Sequence, residues 1–477
     1  MTLSADLPLN SSFFLNLHRF NGVSLVTDHE SVSYTELENR VVEHSEAIKE
    51  QCLNDQGQVC LAALVFENSV DAVVNYLSAL RAEVPLLLID PELSVANKQK
   101  LFGRLGVSVV LTGRAIMQVA RWPFHEMQTR GSHGEHYPAL LLSTSGTSGS
   151  PKSVMLSVEN LKANTVSIVD YLSIRKEDVA ITTLPLHYSF GLSILNTHLA
   201  VGGQIVLTDH PMMSKEFWHQ VREFKVTSLS GVPFHFQMLQ MLRVERMELT
   251  ALRYLAQAGG KLSAESVRHF ANIANERGWQ LFVMYGQTEA TARMGFVPPE
   301  LIAKNPDCIG QAIPGGKFEI HSVESDELIS EANQEGELWY YGDNVMLGYA
   351  EQAADWQRGM LPHKALATGD LAMWNERGLV QITGRLSRFI KIRGKRVQLD
   401  HVERQLQKLE PQIHCCGKDE MLYIVNAHNE NEVTVYLREG LHLHPSLFAL
   451  VQVETLPLLS SGKLDQKALL QLCEQEV

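Results

Sequence analysis

Cysteine is scarce: 6 residues in 477, with no Cys-x-x-Cys pair. That excludes a disulfide scaffold, and Cys52, Cys60, Cys308, Cys415, Cys416 and Cys473 read as reduced, mostly buried thiols. No apolar run approaches the ~18–20 residues of a membrane span. The opening MTLSADLPLN has no basic stretch before an apolar core, so no signal peptide is expected and the cytoplasm is the expected location. A surplus of positive charge is also missing. Lys plus Arg is 41 against 54 Asp plus Glu, a net charge of −13, which argues against a surface that tracks nucleic-acid phosphates. Repeats, low-complexity segments and long linkers are lacking too. What remains is 45% apolar and 20% charged, enough to bury large cores, and long enough for two or more domains.

Short apolar, β-rich runs alternate with helical patterns through the first two thirds. Strands are expected near 59–66, 84–89, 107–111, 139–143, 179–184, 204–208, 227–230, 254–257 and 280–284. Helices are expected at 70–81, 158–171, 215–224, 234–242 and 264–277. Continuous apolar strands between amphipathic helices indicate parallel sheets covered on both faces. The fold class is therefore α/β: a large N-terminal domain, 1–385, with parallel-rich sheets. After Gly384 comes a cationic stretch, then a helical pattern near Asp400 and short strands at 421–425 and 433–437. This reads as a small α+β domain, 386–477.

The strongest local signal is Ser143-Thr144-Ser145-Gly146-Thr147-Ser148-Gly149-Ser150-Pro151-Lys152, directly after an expected strand. Glycines let a backbone turn tightly and point N–H groups at an anion, hydroxyls add short hydrogen bonds, and the lysine adds charge. The segment reads as a polyphosphate cradle, against the plainer reading of a Ser/Gly surface loop. It is not a Walker A loop, which disfavours a P-loop kinase or ATPase.

Four further motifs follow in order: Tyr285-Gly286-Gln287-Thr288-Glu289; Thr368-Gly369-Asp370; Gly384-Arg385 with Ile390-Lys391-Ile392-Arg393-Gly394; and Leu456-Pro457 with Ser461-Gly462-Lys463-Leu464-Asp465. Together with the loop they resemble the adenylate-forming (AMP-binding) superfamily of acyl-CoA synthetases, adenylation domains of nonribosomal peptide synthetases and luciferases, over residues 10–475. The resemblance implies ATP and Mg²⁺ as cofactors and a two-step reaction. A carboxylate attacks the α-phosphate of ATP, releasing pyrophosphate, and a thiol then takes the acyl group from AMP. It implies that Thr144, Ser145, Gly146, Thr147 and Lys152 hold the β- and γ-phosphates. Thr288 would contact the α-phosphate, Glu289 would ligate Mg²⁺, and Tyr285 would lie against adenine. Gly259 and Gly260 would stand beside adenine and acyl chain, or simply form a strand-to-turn pair. Asp370 would accept both ribose hydroxyls with help from Arg385. Lys463 would bridge the substrate carboxylate and the α-phosphate, then leave as the small domain rotates. The basic stretch 388–396 would be hinge and second-step surface, with Ser387 where the family usually has Asp or Lys.

In the same resemblance, 184–191 lines the substrate. Ser189 stands where amino-acid activators place an Asp, and no acidic residue lies between Leu184 and Val206. A buried ammonium without a counter-ion would be costly. The expected substrate is thus a carboxylic acid without an α-amino group, fatty or aryl. His187, Tyr188 and Phe234 are further pocket candidates, as are His235 and Gln237, with a core-helix explanation equally good. The acceptor is a phosphopantetheine thiol, of a carrier protein or of CoA; residues 391–396 resemble carrier-protein ligases and 189–191 resemble CoA ligases. Alternatives are an amino-acid-adenylating carrier-protein ligase, a noncatalytic nucleotide-binding relative and an oxidative, luciferase-type enzyme.

Overall fold

A computed structural model describes residues 15–53, 58–119, 136–143, 152–358, 360–393, 395–458 and 464–476. Contacts divide the chain into two units: 1–306, 310–317 and 340–366 form the first, and 307–309, 318–339 and 367–477 the second.

The first unit holds two sheets. In the nine-stranded sheet, Gln280–Tyr285, Tyr254–Gln257, Ser228–Gly231, Val179–Ile181, Gln204–Val206 and Val23–Val26 run parallel in that order. Antiparallel strands close both edges. In the seven-stranded sheet, Leu140–Ser143, Leu86–Ile89, Leu61–Val65 and Val107–Thr112 are the parallel centre. The expectation of parallel-rich sheets covered by helices is met, because these strands are buried along nearly their whole length.

The helices start where the sequence supplies a side-chain acceptor. Ser33, Ser69, Ser157 and Ser263 each accept from a backbone N–H one turn into their helices, Tyr34–Cys52, Val70–Arg81, Val158–Leu172 and Ala264–Arg277. Gly106, Gly202 and Gly278 end helices in the left-handed region. Helix Ser189–Val201 differs: every one of its residues is buried.

The second unit contains most of a four-stranded sheet (Lys317–His321, Gly336–Tyr341, Ala365–Trp374, Val380–Arg385), the hairpin Phe389–Ile392/Lys395–Gln398, and a three-stranded sheet with helices Leu399–Leu406 and Gln466–Glu476. Its core gathers Ile390, Leu399, Val402, Leu406, Leu422 and Ile424. One expected strand is corrected. Residues 433–437 are helical, within Glu430–Val435 and the wider turn Tyr436–Gly440. Asn429 caps the start, two glutamates occupy the first turn, and Val433 and Leu437 bury a shared face four residues apart. These local signals outweigh the β-branched pattern Val-Thr-Val. None of the six cysteines is in a disulfide, and all are buried.

Candidate active site

The strand order of the large sheet reverses its direction at Val179–Ile181. The next strand, Gln204–Val206, lies on one side of it, and Ser228–Gly231 and its successors lie on the other. In open α/β sheets the crevice beyond the carboxyl ends of strands at such a reversal is where ligands bind. Four strands end there: Val179–Ile181 before His187-Tyr188-Ser189, Ser228–Gly231 before Phe234, Tyr254–Gln257 before Gly259 and Gly260, and Gln280–Tyr285 at Tyr285 itself. The Thr183 hydroxyl donates to the Ser230 carbonyl, tying together the loops that flank the reversal.

Ser189 is the first residue of the buried helix, whose start has no side-chain cap. Its Oγ lies 3.2 Å from the Oγ1 of Thr288. The expected acyl-lining segment and the expected α-phosphate contact therefore meet. Gly286 makes this close turn feasible, since a Cβ there would fall 1.8 Å from the Ala292 carbonyl oxygen. Thr288–Ala290 forms a single 3-10 turn, and Thr291 follows with φ of 68°, a strained value for a β-branched residue. The turn is clamped from behind. Asn344 donates to the carbonyls of Ala290 (2.8 Å) and Arg293 (3.2 Å) and accepts from Tyr340 (2.8 Å). Asn164 donates to the Arg293 carbonyl at 2.8 Å, and Thr291 donates to that of Asn344 at 2.8 Å. Sequence reasoning missed Asn344 and Asn164, because an isolated asparagine carries no periodic signal.

Glu289 accepts from the Tyr349 hydroxyl at 2.9 Å. Burial and the adjacent carboxylate push the Tyr349 phenol well above its ordinary range. Tyr349 reaches this place because Gly348–Ala350 pairs antiparallel with Ser153–Leu156, Tyr349 opposite Val154. The same pairing brings Lys152 to Glu351 at 3.0 Å and to 5.4 Å from the Tyr349 ring. Thr144, Ser145, Gly146 and Thr147, like Lys463, lie outside the described residues. Among the described residues no cluster of three or more His, Cys, Asp or Glu could hold a metal ion. A site made of Glu289, neighbouring hydroxyls and substrate phosphates nonetheless suits Mg²⁺, a hard ion usually held by one or two carboxylates plus phosphate oxygens.

Tyr285 receives a hydrogen bond from Gln287 Nε2 at 3.3 Å. Gly259 has φ of +80°, which favours glycine, and a Cβ on Gly260 would come within 3.1 Å of Pro233. His187 is mostly buried with Nε2 3.6 Å from Asp90, an acid far in sequence from residues 184–206. Burial pulls the His187 pKa down, and Asp90 opposes this in part. Tyr188 sets its ring edge-on to Phe190, centroids 6.5 Å apart. Phe234 is 42% exposed, whereas its helix, Pro233–Met241, buries Phe236 and Leu239. Gln237 is exposed, and burial lowers the pKa of His235.

In the second unit, Asp370 is 3% exposed and accepts from Arg385 Nε at 2.9 Å. Strand pairing sets the two opposite each other. Arg388 is not a free surface charge: it pairs with Asp400 and Glu403 and donates to the Cys415 carbonyl at 2.6 Å. Those acids hold its guanidinium charge firmly despite burial.

The profile of the AMP-binding enzyme family matches residues 16–350. The chain belongs to the AMP-binding enzyme family. Surfactin synthase subunit 1 of Bacillus subtilis (strain 168) is 24% identical over 487 residues, covering 94% of this chain and 13% of that protein. Bacitracin synthase 3 of Bacillus licheniformis is 27% identical over 512 residues, covering 98% and 8%. The chain thus spans only a small part, 8–13%, of the length of these curated relatives. Among solved structures, the o-succinylbenzoate CoA synthetase (MenE) of Bacillus subtilis with its acyl-adenylate intermediate superposes with a TM-score of 0.74 at 20% identity, covering 96% of this chain and 97% of that one. ATP-bound MatB of Rhodopseudomonas palustris gives 0.75 at 19% identity, covering 98% and 99%. The fold is theirs. No helix among the described residues is long and apolar enough to cross a membrane.

Proposed function

We propose that this protein activates a carboxylic acid with ATP, forming an acyl-adenylate and pyrophosphate, and passes the acyl group to a phosphopantetheine thiol. The observation that carries the reading is the meeting of Ser189 and Thr288 at the sheet reversal, with Glu289 fixed next in the chain by Tyr349. Hydroxyl donors at the open start of a helix, and a carboxylate able to hold Mg²⁺, suit a reaction between anions, since charge neutralisation outweighs base catalysis there.

In this reading Thr288 contacts the α-phosphate, and Glu289 would hold Mg²⁺, which would supply charge neutralisation for the phosphates. Thr144, Ser145, Gly146, Thr147 and Lys152 hold the β- and γ-phosphates. Tyr285, Gly259 and Gly260 frame adenine and the acyl group, and Asp370 with Arg385 holds the ribose. Lys463 arrives as a point charge between the carboxylate and the α-phosphate. His187, Tyr188, Ser189 and Phe234 border the acyl group. Residues 1–385 act as the large domain, and 386–477 rotate about Ser387 between half-reactions. The acid lacks an α-amino group, and the enzyme works in the cytoplasm. Peptide-synthase relatives favour a carrier-bound thiol and the CoA synthetase structures favour CoA, so both are acceptors to test.

ATP–pyrophosphate exchange against pooled fatty, aryl and amino acids tests the first step, and CoA added to the responding pool tests the second by thioester mass. Exchange with a non-amino acid is expected. Exchange with amino acids alone would place an amino-acid-activating enzyme here instead. No exchange, with nucleotide still bound, would leave a noncatalytic relative.

A further inference from the structure

Arg293 is among the largest fully buried side chains, 2% exposed. It stands two residues beyond strained Thr291. Its Nη1 donates to the Tyr171 hydroxyl at 3.3 Å and to the Met284 sulfur at 3.4 Å. The guanidinium carbon lies 4.9 Å from the centre of the Phe190 ring. Its Nε, also buried, has no hydrogen-bond partner. Among the described residues no carboxylate pairs with it. Asp178, which shares this core, is committed to Arg253 and to the backbone N–H of Arg175.

A buried cation is ordinarily paired, because desolvating it costs several kcal/mol that phenol, thioether and ring face do not return. Cation–π contact offsets roughly 0.5–2 kcal/mol of that. The neighbours also say where an anion would come from. Phe190 follows Ser189 in the acyl-lining segment, and Met284 precedes Tyr285. A water-sized cavity of about 10 Å³ lies beside Ser189, lined by Asn164, Thr165, Ser189, Ser193, Asn196 and Thr291 together with leucine side chains. Asn164, one of its lining residues, has a buried Oδ1 without a partner.

We propose that Arg293 determines substrate specificity and that the acid carries a second carboxylate, which pairs with this guanidinium. The proposal rests on the adenylation reading and narrows it: the substrate is a dicarboxylic acid, aliphatic or aryl. An α-ammonium would be repelled here as well as left without a counter-ion at Ser189.

Exchange kinetics with matched pairs test it: malonate with propionate, succinate with butanoate, glutarate with pentanoate, phthalate with benzoate. One diacid is expected to exceed its monoacid partner by about 10²-fold in kcat/KM, the scale for leaving one buried polar group unsatisfied. Arg293→Met, of similar bulk, should erase that preference mainly through KM, and Arg293→Lys should restore part of it. Preference for monoacids in the wild type, or an Arg293→Met protein that keeps diacid preference, would overturn the proposal. Calorimetric titration with the same diacids separates it from the function on which it rests. Diacid binding that is lost in a folded Arg293→Met protein supports the anion site even if no exchange is seen. Absence of diacid binding to the wild type refutes it even if another acid is adenylated.

Discussion

Glu289 owes its orientation to one phenol. Tyr349 donates to Oε1, leaving the carboxylate directed by a neighbour that itself comes from a distant strand. Glu289→Gln keeps the shape and removes the charge, so adenylation should fall by roughly 10²–10³, the scale of one transition-state electrostatic contact. Tyr349→Phe should cost about tenfold and raise the Mg²⁺ concentration needed for half-maximal exchange, as loss of an outer partner does. A magnesium titration of both variants checks this. An unchanged Mg²⁺ requirement in both would remove Glu289 from the metal site. Lys463→Ala should slow adenylate formation by roughly 10²–10³ while sparing thioester formation from a supplied acyl-adenylate. Single-turnover measurement of the two steps checks it, and equal loss in both would speak for a structural lysine. Legibility at this scale was uneven. Ser189 and Thr288, with Glu289 beside it, lie close together because each motif follows a strand whose carboxyl end is at the same sheet edge. Arg293, Asn344 and Asp90 were not legible, since their roles depend on burial and on partners far away in sequence.

Elements were read better than side chains. Tyr254–Gln257, Val70–Arg81 and Ala264–Arg277 have the bounds expected from sequence, and most other strands in the first two thirds differ by one to three residues at an end. Buried parallel strands announce themselves as unbroken apolar runs, and serine caps mark the helix starts. The error at 433–437 came from weighing β-branched residues above an asparagine cap and an acidic first turn. The turn 288–291 shows what no pattern reveals: its strained Thr291 is held by Asn344, which satisfies two carbonyls and one hydroxyl at once. Asn344→Ala would leave those groups buried without a partner, at a cost of about 3 kcal/mol. The urea midpoint should fall accordingly, and exchange should fall further than stability explains, because Thr288 and Glu289 sit on that turn. An Asn344→Ala protein with ordinary exchange would show that the turn keeps its shape without the clamp.

At the scale of the whole molecule, buried imidazoles set an acid limit. His198 donates through Nδ1 to the Ile194 carbonyl at 2.9 Å, and its Nε2 has no partner. Burial foremost, against that hydrogen bond and Asp178, holds its pKa down at about 4. The unfolded chain titrates this group near ~6.5. Between those values the unfolded state binds a proton that the folded state refuses, so stability is full above the upper value and drains as pH falls toward the lower. The difference amounts to something on the order of 3 kcal/mol for this one residue. Burial lowers His187 and His235 in the first unit and His414 in the second, adding the same sign in both. His321 alone among the shifted imidazoles is raised: burial works against its charge, but Glu319 and Asp326 outweigh it, so this one residue contributes with the opposite sign. Urea unfolding should therefore show stability dropping between about pH 6.5 and pH 4.5, with the slope of the linkage relation. His198→Asn is expected to lower stability at pH 8, where the native hydrogen bond is lost, and to flatten the acid slope by close to one proton. A variant with the wild-type slope would mean that His198 accepts its proton in the folded state, and that the acid limit lies with the other three imidazoles.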